Sequence, residues 1–130
     1  MNKKVLVVDD DSDVRSFVVT VLEENGYIPL QACDGVEGLE KIQQEKPDLV
    51  ILDVLMPRGS GIRLYRQLKT HEALKALPVI MFTGIAMRSF LKSQKALEAF
   101  NGGEIPKPDI YLEKPVEPEE LARAIDTKIG

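Results

Sequence analysis

Val5-Leu6-Val7-Val8-Asp9-Asp10-Asp11 is the stretch that decides the fold. Four apolar residues in a row, with no polar alternation, fit a strand buried on both faces. Three aspartates stand where that strand ends. The pattern recurs along the chain: Leu49-Val50-Ile51-Leu52 runs into Asp53, and Val79-Ile80-Met81-Phe82 runs into Thr83. A weaker run, Tyr27 to Ala32, contains Pro29, which cannot donate to a ladder and so belongs at a sheet edge. Ile110-Tyr111-Leu112 is the fifth candidate, and it leads into Lys114-Pro115.

Helical spacing fills the gaps. Val14, Phe17, Val18, Val21 and Leu22 follow the i, i+3, i+4, i+7, i+8 rule, with Ser12 as the expected cap and Gly26 as the expected stop. Asp34 with Glu37 three residues on reads as a capping box for a second helix ending before Pro47. Gly61, Leu64, Tyr65 and Leu68 give a third stripe. Phe90, Leu97 and Phe100 give a weaker fourth, and Leu121, Ala122, Ile125 and Ile129 the last.

Strands alternating with helices predict an α/β fold with a parallel sheet covered on both faces. An edge position for the second strand favours the flavodoxin-like order 2-1-3-4-5, with five helices over the two faces. Such sheets bind ligands outside the carboxyl ends of their strands. The expectation is therefore that Asp9, Asp10, Asp53, Thr83 and Lys114 gather at one rim.

Composition bounds what that rim can serve. The chain has 130 residues, 44% of them hydrophobic, and 17 lysines and arginines against 21 acidic residues give a formal charge of −4. One domain over residues 1–130 is expected, with no output module. The acidic balance argues against a broad nucleic-acid surface. No apolar run reaches the length of a membrane span, and no signal peptide is read. The lone Cys33 excludes an internal disulfide and suits a reducing cytoplasm.

Clustered carboxylates repel one another, and a divalent cation relieves this. Oxygen-only ligands select a hard ion, and few carboxylates plus waters suit Mg²⁺ better than Ca²⁺. A cation, Lys114 and the Thr83 hydroxyl together suit a phosphoryl group, and a carboxylate can act as its nucleophile. Taken singly, each residue has a plainer reading: turn chemistry for Asp9-Asp10, a strand-end hydroxyl for Thr83, a solvated lysine for Lys114, a half-buried strand side chain for Tyr111. Asp11 and Asp13 read as solvated, helix-capping residues, and His71 as exposed at a helix end.

Four motifs in order resemble the receiver domain of bacterial two-component response regulators, the chemotaxis-regulator type. They are Val8-Asp9-Asp10, Asp53-x-x-Met56-Pro57-x-x-x-Gly61, Thr83-Gly84 and Tyr111-x-x-Lys114-Pro115. The resemblance covers essentially the whole chain. It implies a phosphoacceptor switch with Asp53 as acceptor and no other enzymatic activity than its own phosphotransfer and dephosphorylation. It implies Mg²⁺ held by Asp10, Asp53 and the Leu55 carbonyl, with Asp9 acting largely through water. Lys114 would pair with the phosphoryl oxygens, Thr83 would move toward them, and Tyr111 would report the change. A cis Lys114–Pro115 bond is also implied. So is a partner, a histidine kinase or phosphotransfer protein, with output through the fourth-helix, fifth-strand and fifth-helix face of a monomer or weak homodimer.

Three departures stand out. Between Thr83 and Lys114 the chain is longer than the resemblance implies, with the excess at residues 101–109, expected as an irregular loop. Ser60 replaces an acidic residue before Gly61 and is expected to cap the third helix. Leu55 and Ile85 are apolar where relatives are often polar, which predicts slow self-dephosphorylation. Two other functions compete. A haloacid-dehalogenase-like phosphatase would use Asp9-x-Asp11 with Asp9 as nucleophile, but leaves Asp53 without a role. A receiver-shaped docking module would never be phosphorylated.

Overall fold

A computed structural model describes residues 2–93 and 107–130. Five strands carry the sheet: β1 (Lys4–Val8), β2 (Ile28–Ala32), β3 (Leu49–Leu52), β4 (Val79–Thr83) and β5 (Ile110–Glu113). All pairings are parallel and the order is β2-β1-β3-β4-β5, as the edge proline required. Pro29 sits opposite Val5 on the outer strand, where its missing N–H faces no neighbour. Helices are α1 (Ser12–Glu24), α2 (Gly35–Glu45), α3 (Ser60–Thr70), α4 (residues 87–93 of its described part) and α5 (Pro118–Ile129). Leu97, Phe100 and most of the expected 101–109 loop lie outside the described residues.

The strand period of two splits the core into two layers. Leu6, Val8, Val50, Leu52, Val79 and Met81 face α2, α3 and α4. Val5, Val7, Leu49, Ile51, Ile80 and Phe82 face α1 and α5. This is why the strands read as unbroken apolar runs: both neighbours in each pair are buried, on opposite faces. The helical stripes settle the same way, with Val18, Val21 and Leu22 buried on α1 and Leu64, Tyr65 and Leu68 on α3. Among the described residues no helix is long and apolar enough to cross a membrane.

Two capping expectations are corrected. α1 is capped by Asp11 rather than Ser12: the Asp11 carboxylate accepts the N–H groups of Asp13 (2.9 Å) and Val14 (3.4 Å). Ser12 is already the first helical residue, so its side chain is not at the extended position that a cap requires. Ser60 likewise has helical dihedrals, and its hydroxyl is buried with no hydrogen-bond partner among the described residues. The α2 box forms differently from the usual pattern. Asp34 accepts the Glu37 N–H at 2.8 Å, while the Glu37 carboxylate reaches past the cap to the Cys33 N–H at 2.6 Å. α1 gives way at Asn25 to Gly26, whose φ of 82° is the left-handed conformation that favours glycine.

Candidate functional site

Parallel order brings the ends of β1, β3, β4 and β5 to one edge, and the sequence-predicted residues follow. Asp9 and Asp10 continue β1, Asp53 follows β3, Thr83 ends β4, and Lys114 follows β5. Backbone hydrogen bonds prolong the ladder into the site. The Asp53 N–H donates to Val8 at 3.0 Å, and the Lys114 N–H donates to Thr83 at 2.8 Å. One carboxylate oxygen each from Asp9, Asp10 and Asp53 lies within 4.8 Å of the other two. Asp9 is 2% exposed and Asp53 5%, whereas Asp10 stands at the solvent side.

Each buried carboxylate is aimed by its own backbone. Asp9 Oδ1 accepts the Asp11 N–H at 2.9 Å, and Asp53 Oδ1 accepts the Leu55 N–H at 2.8 Å. Both therefore sit in local turns that fix the side chain and leave the second oxygen free. Lys114 Nζ takes those second oxygens, donating to Asp9 Oδ2 at 2.8 Å and Asp53 Oδ2 at 3.0 Å. Its ammonium also lies 5.5 Å from the Phe82 ring centroid. The Lys114–Pro115 bond is cis.

The electrostatics carry a surplus of negative charge. Burial pushes the Asp9 carboxyl above its ordinary range, against the pull of Lys114 and the Asp11 N–H. Burial alone would lower the Lys114 ammonium, but its bonds to Asp9 and Asp53 reverse that and hold it above its usual value. One lysine thus faces three carboxylates, two of them out of water. Oxygen donors at this spacing fit a hard divalent cation, and the three aspartates could hold one. The Thr83 hydroxyl fits an anionic acceptor at the same rim. Its residue is 0% exposed, and Oγ1 has no hydrogen-bond partner among the described residues.

Gly61 explains its place in the motif. A β-carbon there would collide with the Asp53 carbonyl oxygen, so only glycine lets α3 start this close to the carboxylate. Tyr111 is turned inward. Its hydroxyl donates to the Ile85 carbonyl at 2.6 Å and its ring centroid lies 5.5 Å from that of Phe90. Burial pushes the phenol up to about 12, so the hydroxyl stays a donor. Asp11, half of the alternative Asp9-x-Asp11 motif, is spent on the α1 cap and is not in the acidic group. Leu55 is 55% exposed beside the site and leans over Gly84.

Two supporting residues escaped the sequence reading. Arg15 donates from Nη1 to the Asp9 carbonyl at 2.7 Å, which steadies the turn after β1. A cation in the first turn of α1 opposes the helix dipole, and that mismatch is the signal that could have flagged it. Glu113 accepts the Met87 N–H at 3.2 Å and so ties β5 to the start of α4. An acidic residue closing an otherwise apolar strand was its only trace.

Comparison with known proteins agrees with this geometry. Residues 5–126 match the response regulator receiver domain family, and the chain belongs to that family. It is 36% identical over 121 residues to the alkaline phosphatase synthesis transcriptional regulatory protein PhoP of Bacillus subtilis, covering 93% of this chain and 46% of that protein. It is 34% identical to protein PilG of Pseudomonas aeruginosa, covering 97% and 87% of the two chains. Among solved structures, the chemotaxis response regulator CheY4 of Vibrio cholerae superposes with a TM-score of 0.81 at 29% identity, covering 99% of this chain and 100% of that one. The chain spans about half the length of PhoP and of the Escherichia coli phosphate regulon regulator PhoB. As a receiver domain it is a phosphoacceptor signalling switch.

Proposed function

We propose that Asp53 is the phosphoacceptor, served by Lys114 and Thr83, and that Mg²⁺ is the cation of the acidic group. The observation that carries this reading is the convergence of three carboxylates, one bridging ammonium and one unpartnered buried hydroxyl at a single rim. Asp9, Asp10, Asp53 and the Leu55 carbonyl would hold the ion. When bound, Mg²⁺ neutralises carboxylate charge and stabilises charge on the transferred phosphoryl oxygens.

The chain's own residues do the rest. An Asp53 carboxylate oxygen attacks phosphorus in line. A P–O bond forms as the P–N bond to a donor phosphoimidazole breaks, and the imidazole nitrogen keeps the electron pair and takes up a proton. Lys114 already touches Asp53 Oδ2, so its ammonium is positioned to pair with the phosphoryl oxygens once they arrive. The Thr83 hydroxyl gains the acceptor it now lacks. Its displacement, and that of the loop after β4, bears on Tyr111 through the Ile85 carbonyl. The two-state element is thus the β4–α4 loop with Tyr111, biased by charge at Asp53.

The partner this chemistry requires is a phosphohistidine donor, a histidine kinase or phosphotransfer protein, and the setting is the cytoplasm. The chain would act as a switch with no turnover beyond its own phosphotransfer and dephosphorylation, signalling through the α4–β5–α5 face. The test adds Mg²⁺ with beryllium fluoride, an acyl-phosphate mimic, and follows amide chemical shifts. Wild type should shift around Thr83, Ile85 and Tyr111, and Asp53→Asn should not. Identical spectra for the two proteins would reject Asp53 as the acceptor.

A further inference from the structure

A cleft of about 670 Å³ runs between α2 and α3, beside the acidic rim. Its α2 wall is a single helical stripe, Val36, Leu39, Glu40 and Gln43, at i, i+3, i+4, i+7. The buried positions of α2 are Gly35, Gly38 and Ile42, and Leu39 packs against the core, so the open part of this stripe is Val36, Glu40 and Gln43. Val36 is 71% exposed, the most exposed of the large apolar side chains described. Arg63 and Gln67 line the α3 wall, with Arg58 ahead of them in the turn of residues 57–59.

The two walls are oppositely charged. Asp34 and Glu40 stand on the α2 side, and Arg58 and Arg63 on the α3 side. None of the four has an ion-pair partner among the described residues. Arg63 instead donates to the Arg58 carbonyl. The cleft holds the opposite charges apart, with the apolar Leu39, Met56 and Pro57 among its lining.

A surface with one acidic and one basic wall is complementary to itself. We propose that this cleft is a self-association surface on which two copies of the chain meet about a two-fold axis. Glu40 of each copy then faces Arg63 of the other, and each Val36 is covered in the contact. A two-fold contact repeats every pair, so Glu40 and Arg63, without ion-pair partners in one chain, form two ion pairs in two. Any unrelated partner would have to supply both signs in the right order by its own design. The net charge of −4 opposes this encounter only weakly, because at physiological salt charges farther apart than ~8 Å are screened while contact pairs are not. The patch is small, which places the dimer in the weak, transient class. It stands on the cleft alone and does not depend on which aspartate is phosphorylated.

Sedimentation of the full chain from about 10 μM to 1 mM tests it. Wild type should show a concentration-dependent dimer. Glu40→Arg and Arg63→Glu should each weaken it about tenfold or more, since each change acts twice and sets like charges face to face. The double variant should recover to within about threefold of wild type, because the pair is restored with its signs exchanged. A wild type that stays monomeric throughout overturns the proposal. So does a dimer that neither single change weakens, which would lie elsewhere, or a double variant no tighter than the singles. A cleft that binds only some other protein overturns it as well. If a variant folds poorly, dilution of wild type gives the same answer by chemical shift: changes centred on Val36, Glu40 and Arg63 support the interface, and changes confined to α4 and α5 reject it.

Discussion

β5 joins two charged knots that are built with the same chemistry and opposite surplus. Just after the strand, Lys114 bridges Asp9 and Asp53 at 2.8 and 3.0 Å. Just before it, Asp109 is bridged by Lys69 at 3.6 Å and Lys128 at 3.3 Å, and it also accepts the Val79 N–H at 2.9 Å. The upper knot is one cation among anions, two of them buried. The lower knot is one anion among cations, with its carboxylate already hydrogen-bonded and partly in water. Burial would raise the Asp109 carboxyl, but the Val79 N–H and the two lysines outweigh it and hold it below its ordinary range. Asp9 goes the other way, raised by burial despite its lysine. The lower arrangement is satisfied and ties α3, β4, β5 and α5 together. The upper one is unsatisfied until more positive charge arrives, which is what a switch needs.

Removing a lysine from each knot should separate them most sharply. In the proposed mechanism Lys114→Ala takes away the cation that pairs with the phosphoryl oxygens, and phosphorylation at the proposed acceptor Asp53 should slow by about 10²–10³-fold. Lys69→Ala should leave that rate within about twofold, while lowering unfolding free energy by about 1–2 kcal/mol, because it removes a charged hydrogen-bonding neighbour from Asp109. Transfer of labelled phosphate from a phosphohistidine donor reads the first effect, and urea unfolding reads the second. If Lys69→Ala slowed transfer as much as Lys114→Ala, the knots would not be functionally distinct.

One substitution, aspartate to asparagine, should change stability with opposite signs. Asp109→Asn should destabilise by about 1–2 kcal/mol, a figure held down by the exposure of the carboxylate. Asp9→Asn, measured without divalent metal, should stabilise by about 1 kcal/mol, since it removes a buried charge that repels Asp53. Thermal melts of both variants against wild type decide the matter. A loss of stability on Asp9→Asn would mean that the Lys114 bridge outweighs the repulsion.

The upper knot was legible in the sequence and the lower one was not. Asp9, Asp10, Asp53, Thr83 and Lys114 each close an apolar run, so a parallel sheet alone predicts their meeting. Asp109 lies in a stretch of glycines and prolines that reads as loop, and its lysines come from the far ends of two helices. Nothing local links residues 69, 109 and 128. The same holds for the α2–α3 cleft, because exposed Val36 and Glu40 show no pattern until α3 is beside them. Capping failed on a finer scale. Asp11 and Ser12 are both good caps, and one residue of phase decides between them. Ser60 itself already has helical dihedrals (φ −65°, ψ −31°), so it is not at the extended position a cap requires and its hydroxyl has no capping role.

Acid should erode the lower knot in a predictable window. Asp109 is lower in the folded protein than in the unfolded chain, where the ordinary value is 3.8. The unfolded chain therefore binds the proton first as pH falls. The stabilisation from Asp109 is fully present above that ordinary value and is lost as pH drops through the lowered folded value. The stability gap between wild type and Asp109→Asn should be constant from pH 7 to about 5 and shrink toward pH 3. Urea midpoints at those pH values measure it, and a gap that widens in acid would reverse the assigned direction.

The smallest effect concerns water at the upper knot. Leu55 contributes its backbone N–H to Asp53 and its side chain to the space above Gly84, where its Cδ1 would lie 4.0 Å from a β-carbon. Ile85, two residues after Thr83, is also apolar and partly buried against the core. The exposed apolar Leu55 side chain beside the proposed acceptor restricts where an attacking water can stand and offers it no hydrogen bond. Leu55→Asn keeps the N–H and replaces the apolar cover with an amide that can orient water. Dephosphorylation of the purified domain should then quicken by about threefold to tenfold, or about 0.6–1.4 kcal/mol in barrier. Phosphorylation, which in the proposed mechanism depends on Lys114 and the carboxylates, should hardly change. That split between the two rates distinguishes a water-excluding side chain from one that merely shapes the loop, since a distorted loop would move the Asp53 carboxylate and slow both reactions together.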